Sequence, residues 1–582
     1  MRHLLALIFL LPLVSLASAA DYYEQLNLRP LPLSALLASF NFRSNTSFYD
    51  FESQNFRYFP RSLAQILQHA GTRELHLRFS LGRWDAQSWG TRPWEGQREG
   101  GTGVELWAWL ESESDEEADE KWLILTNALS GLFCASLNFV DSTRTTSPIM
   151  SFQPEGDHPA SSIPNLRLLH GVLPKEVVCT ENLTPFVKLL PCKGKVGVSS
   201  LLDGHKLFDS SYQSMAIDVK PICPRDGDCV LEIEQTIDMV LDMERSKRTQ
   251  DIPRPPPSRD LQCDTSKPYS SPNTCYPLGH AVSQEWSLSQ VLGKPIKGAC
   301  PLTDPEIPPV CIQVPHSRSV YTSAGVQQIK NPDGTSRCLT FDTEGDVDII
   351  LPGPDADDKH GGNSTDELIQ SPTPLIYAER SFMGHGQERG GVQAILTNPS
   401  QDTEVEFIYM ESLPWFMRVY LHTLNARLEG SPGSQPAMIE DIYYRPAVDR
   451  ARGTQLELRM RIPPASTVFL TYDFEKTILR YTEYPPDANR GFDVAAAVIT
   501  TVSPRVQSVR TTTLLLNLPV PDFSMPYNVI IFTSTAIALA FGGLYNILVR
   551  RLVAADEAPS PLARAKLGKL VAKFRSKKST QQ

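Results

Sequence analysis

Ten cysteines, all between Cys134 and Cys338, are the first residues in this 582-residue chain with obvious chemistry. A thiolate can be a nucleophile, a soft metal ligand or half of a disulfide. No C-x-x-C occurs, and the nearest pair, Cys223 and Cys229, is separated by five residues. A zinc or dithiol redox centre is therefore not expected, whereas a local disulfide across Pro224–Asp228 is geometrically plausible. Cys179 lies nine residues after His170, a conceivable nucleophile and base, although a disulfide is the commoner use of a secreted cysteine. The loop Gly384-His385-Gly386-Gln387-Glu388-Arg389-Gly390-Gly391 is composed like a phosphate cradle. It runs into the strand-like Val392–Leu396 rather than a helix, so a turn entering a strand is expected. Glu111–Glu120 holds seven acidic residues in ten without calcium-loop spacing, and reads as a solvated loop. H-E-x-x-H, P-loop and G-x-S-x-G motifs are absent. The expectation is no catalytic residue, no metal site and no cofactor.

Two apolar segments decide which compartment those cysteines meet. Arg2 and His3 precede the run Leu4–Leu16, and Ala17-Ser18-Ala19 forms an A-x-A cleavage pattern, so 1–19 reads as a signal peptide. The stretch from Asp522 to Arg550 contains no charge, and 527–549 is predicted to be a membrane-spanning helix stopped by Arg550 and Arg551. A lipid-attachment signal would end at the apolar tail, whereas 33 residues follow here. Ser534, Ala538, Gly542 and Asn546 recur every fourth residue and would line one face of that helix, where small side chains admit another helix. In the tail, 550–582, Leu567, Leu570, Val571 and Phe574 have the spacing of a basic amphipathic helix. An oxidising lumen makes disulfides the default and the sequons at Asn45, Asn182 and Asn363 glycosylation candidates.

Charge partitions the same way. The total of −11 divides into −19 over residues 3–549, +7 after Val549 and +1 at Arg2. A body that acidic does not suit a nucleic-acid binder, and no nucleic-acid partner is expected.

The elements that must position these residues are mainly strands. Leu75, Leu77, Phe79 and Leu81 alternate with polar residues. Val104, Leu106, Ala108 and Leu110 do the same, with Trp107 and Trp109 on the opposite face. The pattern returns at Val405–Tyr409, Leu456–Ile462 and Val468–Phe474. Antiparallel β-sandwich modules with few helices are predicted, the helices being Leu63–His69 and Lys121–Leu137. Proline-rich Glu244–Asn273 and Gly/Asp/Ser-rich Pro352–Pro374 suggest modules at 20–245, a Cys-rich middle at 246–374, and a C-terminal β module at 375–522.

Several longer segments are specific. Tyr484-Pro485-Pro486-Asp487-Ala488-Asn489-Arg490-Gly491, Arg380-Ser381-Phe382-Met383 with the Gly-rich loop, and Leu413–Leu424 resemble elements of the PIG-T family. Gly82-Arg83-Trp84 with Trp89-Gly90, Glu105-Leu106-Trp107, and Cys179–Pro185 continuing to Leu189–Cys192 are similar to its N-terminal half. Tyr527–Ile530 and Phe541–Gly543 resemble its membrane span. That family is the lumenal, single-pass subunit of GPI transamidase. The resemblance implies a non-catalytic scaffold in the endoplasmic reticulum membrane, its bulk lumenal and its tail cytosolic. The complex joins a GPI lipid to a precursor protein, and its nucleophile belongs to a caspase-like cysteine protease subunit. The resemblance also implies other membrane subunits as partners, and an intersubunit disulfide at Cys179. The rival class is a type I β-sandwich receptor or adhesion ectodomain; a lumenal hydrolase is a third.

Overall fold

The computed structural model describes residues 22–549 and 568–569, apart from 33, 160–162, 175, 224–228, 248–260, 264–274, 278–284, 305–306, 316–317, 324, 331–334, 342–344, 353–370, 385, 431–437, 486 and 523. The signal peptide, the Asn363 sequon and the amphipathic tail positions lie outside the described residues. The chain divides into two units, 1–519 and 520–582.

The first unit is built on an eleven-stranded sheet. Its strands are β1 (Tyr22–Leu31), β2 (Ala35–Ser47), β3 (Thr72–Gly82), β4 (Gly103–Glu111), β5 (Thr145–Thr146), β6 (Leu166–Leu173), β7 (Tyr212–Ile222), β8 (Val230–Asp242), β9 (Val310–Gln313), β10 (Gln327–Lys330) and β11 (Ser336–Thr340). Their spatial order is β10-β11-β9-β1-β2-β8-β7-β3-β4-β6-β5. Every pairing is antiparallel except β1 with β9, which sets Leu26 beside Val310 in parallel. Residues 310–340, far along the chain, thus extend the sheet that Tyr22 begins. Trp286, Leu292, Val310 and Leu351 also join its core.

One face of this sheet is apolar, as the period-two pattern predicts: Leu75, Leu77, Phe79, Leu106 and Leu110 are buried. Three helices cover it: α1 (Arg61–His69), α2 (Asp115–Phe133) and α3 (Thr180–Leu189). Trp122, Leu125, Leu129 and Phe133 of α2 are buried, and the Phe133 ring lies 5.8 Å from that of Phe79. The acidic run is not a loop. Its second half opens α2, where Ser114 Oγ accepts from Glu117 N at 3.2 Å. Asp115, Glu116 and Glu117 occupy the first turn, where the helix dipole favours negative charge. Lys121 then pairs with Glu117 one turn on, at 2.6 Å. The helix begins six residues before the expected Lys121 for this reason.

Residues after the second linker form a sandwich with its own core. One sheet holds β12 (Tyr377–Met383), β13 (Arg389–Asn398), β15 (Met417–Leu428) and β18 (Ser466–Lys476), in the order β12-β13-β18-β15. The other runs β16-β17-β14-β19-β20, comprising β14 (Val405–Leu413), β16 (Ile439–Arg445), β17 (Thr454–Ile462), β19 (Val498–Ser503) and β20 (Ser508–Arg510). Phe407, Tyr409, Leu456, Leu458, Val468 and Leu470 are fully buried between them. The mainly β, antiparallel architecture is as expected, and the Gly-rich loop is a turn between β12 and β13.

The second unit holds α4 (Ser524–Val549). Among the described residues it is the one helix long and apolar enough to cross a membrane. Ser534, Ala538, Gly542 and Asn546 share one of its faces, and no atom lies within 4 Å of a Cβ built on Gly542.

Candidate functional site

Cys179 caps α3 in an extended conformation, and the geometry around it is tied to Asn182, the third residue of the helix. Asn182 Oδ1 accepts from Cys179 N at 2.8 Å. Its Nδ2 donates to Phe133 O at 2.9 Å and to Cys134 O at 3.4 Å. One side chain therefore fixes both the start of α3 and the end of α2. Cys134 ends α2 in the left-handed region, with φ of 51°. Cys134 is exposed and Cys179 half-buried, and neither thiol is in a disulfide. Six others are paired, as Cys192–Cys300, Cys223–Cys229 and Cys311–Cys338. Cys223–Cys229 is the local bridge that the five-residue spacing allows. The side chains of Cys263 and Cys275 lie outside the described residues.

One expectation at this corner is corrected. Asn182 is 1% exposed and its amide nitrogen is spent on two carbonyls, so the folded chain has no space for a glycan there. Asn45 is half-buried on β2. His170 is no base for Cys179. Its ring is buried, Nε2 lies 3.0 Å from Glu105 Oε1, and Nδ1 lies 3.1 Å from Thr146 Oγ1.

The second face of the large sheet is the part that sequence reasoning missed. Glu74, His76, Arg78 and Ser80 alternate with the apolar residues of β3, a pattern that normally faces water. All four are buried. His76 Nε2 meets Glu74 Oε1 at 2.8 Å, and Nδ1 meets Asp218 on β7 at 2.5 Å. Its ring stacks 4.9 Å from Trp107. Arg78 bonds the same Asp218 oxygen at 2.6 Å. Covering loops complete the charges. Arg98 reaches Glu234 on β8 at 2.8 Å and Glu155 at 2.9 Å, while Glu74 accepts from His158 at 2.6 Å. Burial opposes a charged imidazole, but the Glu155 charge and hydrogen bonds to Asp218 and Glu74 outweigh it, raising the His76 pKa to about 9. Burial works against the Asp218 carboxylate too, yet Arg78, Arg98 and His76 hold its pKa well below the usual range. His76, Glu155 and Asp218 have metal-like spacing, but an imidazolium with both nitrogens engaged offers no lone pair to a cation. This is a structural ion network, and its trace in the sequence is the alternation of Glu74, His76 and Arg78 on β3, with Asp218 and Lys220 on β7 and Glu232 and Glu234 on β8.

The same face carries the junction of the two cores. Arg510 of β20 donates to Glu105 of β4, with Nε to Oε2 at 3.2 Å and Nη2 to Oε1 at 3.3 Å. Glu457 of β17 accepts three consecutive backbone N–H groups, from Ile149, Met150 and Ser151, at 2.8–2.9 Å. Gln455 and Ser147 exchange two more bonds. A three-amide cradle for one carboxylate fixes register as well as distance.

The described residues thus combine a multi-sheet β body, an unpaired thiol at a helix cap and a terminal helix long and apolar enough to cross a membrane. The chain belongs to the Gpi16 subunit family, a GPI transamidase component, whose profile matches residues 6–575. It is 41% identical over 591 residues to the GPI transamidase component GPI16 of Saccharomyces cerevisiae, covering 96% of this chain and 94% of that one. It is 36% identical to the PIG-T homolog of Schizosaccharomyces pombe, covering 86% and 84%. With the human GPI-anchor transamidase component PIGT it shares 31% identity, covering 90% of each. Among solved structures, a collagen-binding subdomain of an Enterococcus faecalis surface protein covers 25% of this chain and all of that one, with 10% identity and a TM-score of 0.17; that likeness carries no argument.

Proposed function

We propose that this chain is the non-catalytic scaffold of GPI transamidase, holding a caspase-like cysteine protease subunit through an intersubunit disulfide at Cys179. Its body stands in the lumen of the endoplasmic reticulum and its basic tail in the cytosol, with glycans at Asn45 and Asn363. The α4 face of Ser534, Ala538, Gly542 and Asn546 packs on a membrane helix of another subunit. The observation that carries the reading is the state of Cys179: a half-buried, unpaired thiol on a helix cap, in a chain whose other described cysteines, Cys134 apart, are bridged. Because Asn182 fixes the Cys179 backbone, the cysteine meets a partner thiol without the entropy of ordering a loop. A scaffold of this kind positions another chain's nucleophile and needs none of its own.

The test is Cys179→Ser beside Cys134→Ser in the native complex. Cys179→Ser removes the reductant-sensitive heterodimer on a non-reducing gel, and Cys134→Ser leaves it. Persistence of the band in Cys179→Ser overturns the assignment.

A further inference from the structure

Two segments that make the family resemblance specific converge on a second surface feature, a cleft of about 630 Å³ at the Gly-rich turn. Gly390 and Gly391 of β13 form its floor, beside Tyr420 and His422 of β15 and Asp473 of β18. β15 reaches it through a bulge. Tyr420 pairs with Asp473, but the ladder resumes only at Asn425 with Thr471, so Leu421–Leu424 loop out opposite one residue. Bulges re-aim side chains. This one is pinned by Thr423, whose hydroxyl accepts from Asp473 N at 2.8 Å and donates to Tyr420 O at 2.7 Å. The opposite wall is pinned by Lys476, which donates to Gly386 O at 2.9 Å. The glycines are required by space: a Cβ on Gly391 would stand 3.0 Å from Asp473 Oδ1, and one on Gly390 2.8 Å from the Phe474 ring.

The polar groups here are unspent. Several arginines of this sandwich are paired, Arg418 with Asp449, Arg450 with Glu483, Arg459 with Glu406 and Arg490 with Asp493, whereas Arg427, like Arg389, only lies over a ring. Arg389 has no ion pair among the described residues, its guanidinium lying loosely over the Tyr420 ring, 5.9 Å from the centroid. Asp473 carboxylate and both His422 nitrogens likewise have no hydrogen-bond partner among the described residues, although Arg389 and Asp473 line one cleft. A phosphate would suit Arg389 but meet Asp473; an ammonium would suit Asp473 but meet Arg389. A neutral ligand that donates and accepts on adjacent atoms satisfies both, and adjacent hydroxyls do so. The bare glycine floor admits a flat, bulky ring, and Tyr420 offers an aromatic ring held by its hydroxyl bond to Glu475 at 3.1 Å.

We propose that this cleft binds a neutral oligosaccharide. Asp473 accepts from ring hydroxyls, Arg389 donates to them, and the Tyr420 ring packs on the sugar's C–H face. Glycans of either a lipid anchor or an N-linked client present this chemistry. The proposal stands apart from the scaffold role, and its failure would leave subunit co-purification untouched.

The test is saturation-transfer NMR and titration of the full-length, deglycosylated chain in a non-sugar detergent. Linear α-mannotriose and di-N-acetylchitobiose serve as the two probes. Binding of mannotriose alone points to a glycan without the chitobiose core, and binding of chitobiose to an N-linked glycan. Arg389→Gln and Asp473→Asn, both surface changes, each weaken binding by about tenfold or more, as loss of a charged hydrogen bond requires. Tyr420→Phe retains it. Arg418→Gln, in a paired site of the same sheet, changes nothing. The proposal is overturned by no saturation transfer to either sugar, by binding of inorganic phosphate instead, or by affinity unmoved in both Arg389→Gln and Asp473→Asn.

Discussion

Arg510 and Glu105 are 405 residues apart in the chain and share two hydrogen bonds inside it. Both are almost fully buried, and they join the sandwich to the large sheet. Breaking one side of such a pair leaves a charge stranded in a medium that solvates it poorly. Glu105→Gln therefore costs about 3 kcal/mol or more of stability, because Arg510 keeps its charge while one amide oxygen replaces the two that serve Arg510, His170 and Gly101. Denaturant unfolding of the full chain checks this; a loss below about 1 kcal/mol refutes a strong junction.

Glu457→Gln tests the other clasp. The amide keeps one acceptor oxygen for three N–H donors, so two amides of Ile149–Ser151 lose a charged partner. Limited proteolysis should open the 147–158 segment in the variant well before the wild type. Identical cleavage patterns would show that Gln455 and Ser147 suffice.

His76 makes stability depend on pH in a definite direction. Its folded pKa of about 9 lies above the ordinary 6.5, so its contribution is complete below about pH 6.5 and is lost as pH rises through 9. Asp218 is depressed, so its contribution holds above the ordinary carboxylate range and is lost as the solution becomes strongly acidic. Wild-type stability should fall from pH 7 to 10 by about 3 kcal/mol more than that of His76→Gln. Parallel curves for the two proteins would mean the imidazole is neutral in the fold.

Asn182→Gln separates packing from glycosylation. The longer amide cannot serve Cys179 N, Phe133 O and Cys134 O together, so stability falls by about 1–3 kcal/mol and yield of the Cys179 disulfide drops. Gel mobility stays that of the wild type. A faster-running band would mean that Asn182 carries a glycan after all.

Leucine at Ala538 and Gly542 adds bulk to the small-residue face of α4. Recovery of a membrane partner after detergent extraction should fall severalfold, with the Cys179-linked partner retained under non-reducing conditions. Unchanged recovery rejects the stripe as a contact face.

Strand periodicity was legible because it records one buried face. Leu456, Leu458, Met460 and Ile462 alternate, and all four are fully buried. The other face of the large sheet was illegible for the same reason. Glu74, His76 and Arg78 read as solvent-facing until the loops that carry Gln97, Glu155 and His158 are folded over them. The opening of α2 was misread because composition alone does not separate an acidic loop from an acidic first helical turn; Ser114 with Glu117 is the signal that does. Cys179 emerged from the resemblance, whereas the burial of Asn182 depends on α2 ending beside it, which no local pattern records.

The parallel contact between β1 and β9 sets an order of events for a chain made from its N-terminus. β2 can pair with one edge of β1 as soon as the hairpin exists, but the other edge stays open until Val310 has been synthesised. Through that interval a nascent chain carries an unpaired strand edge with alternating apolar residues, which invites pairing with other chains. A ribosome-tethered chain stopped before Val310 should need a chaperone on that edge, and one extended past Gln313 should release it.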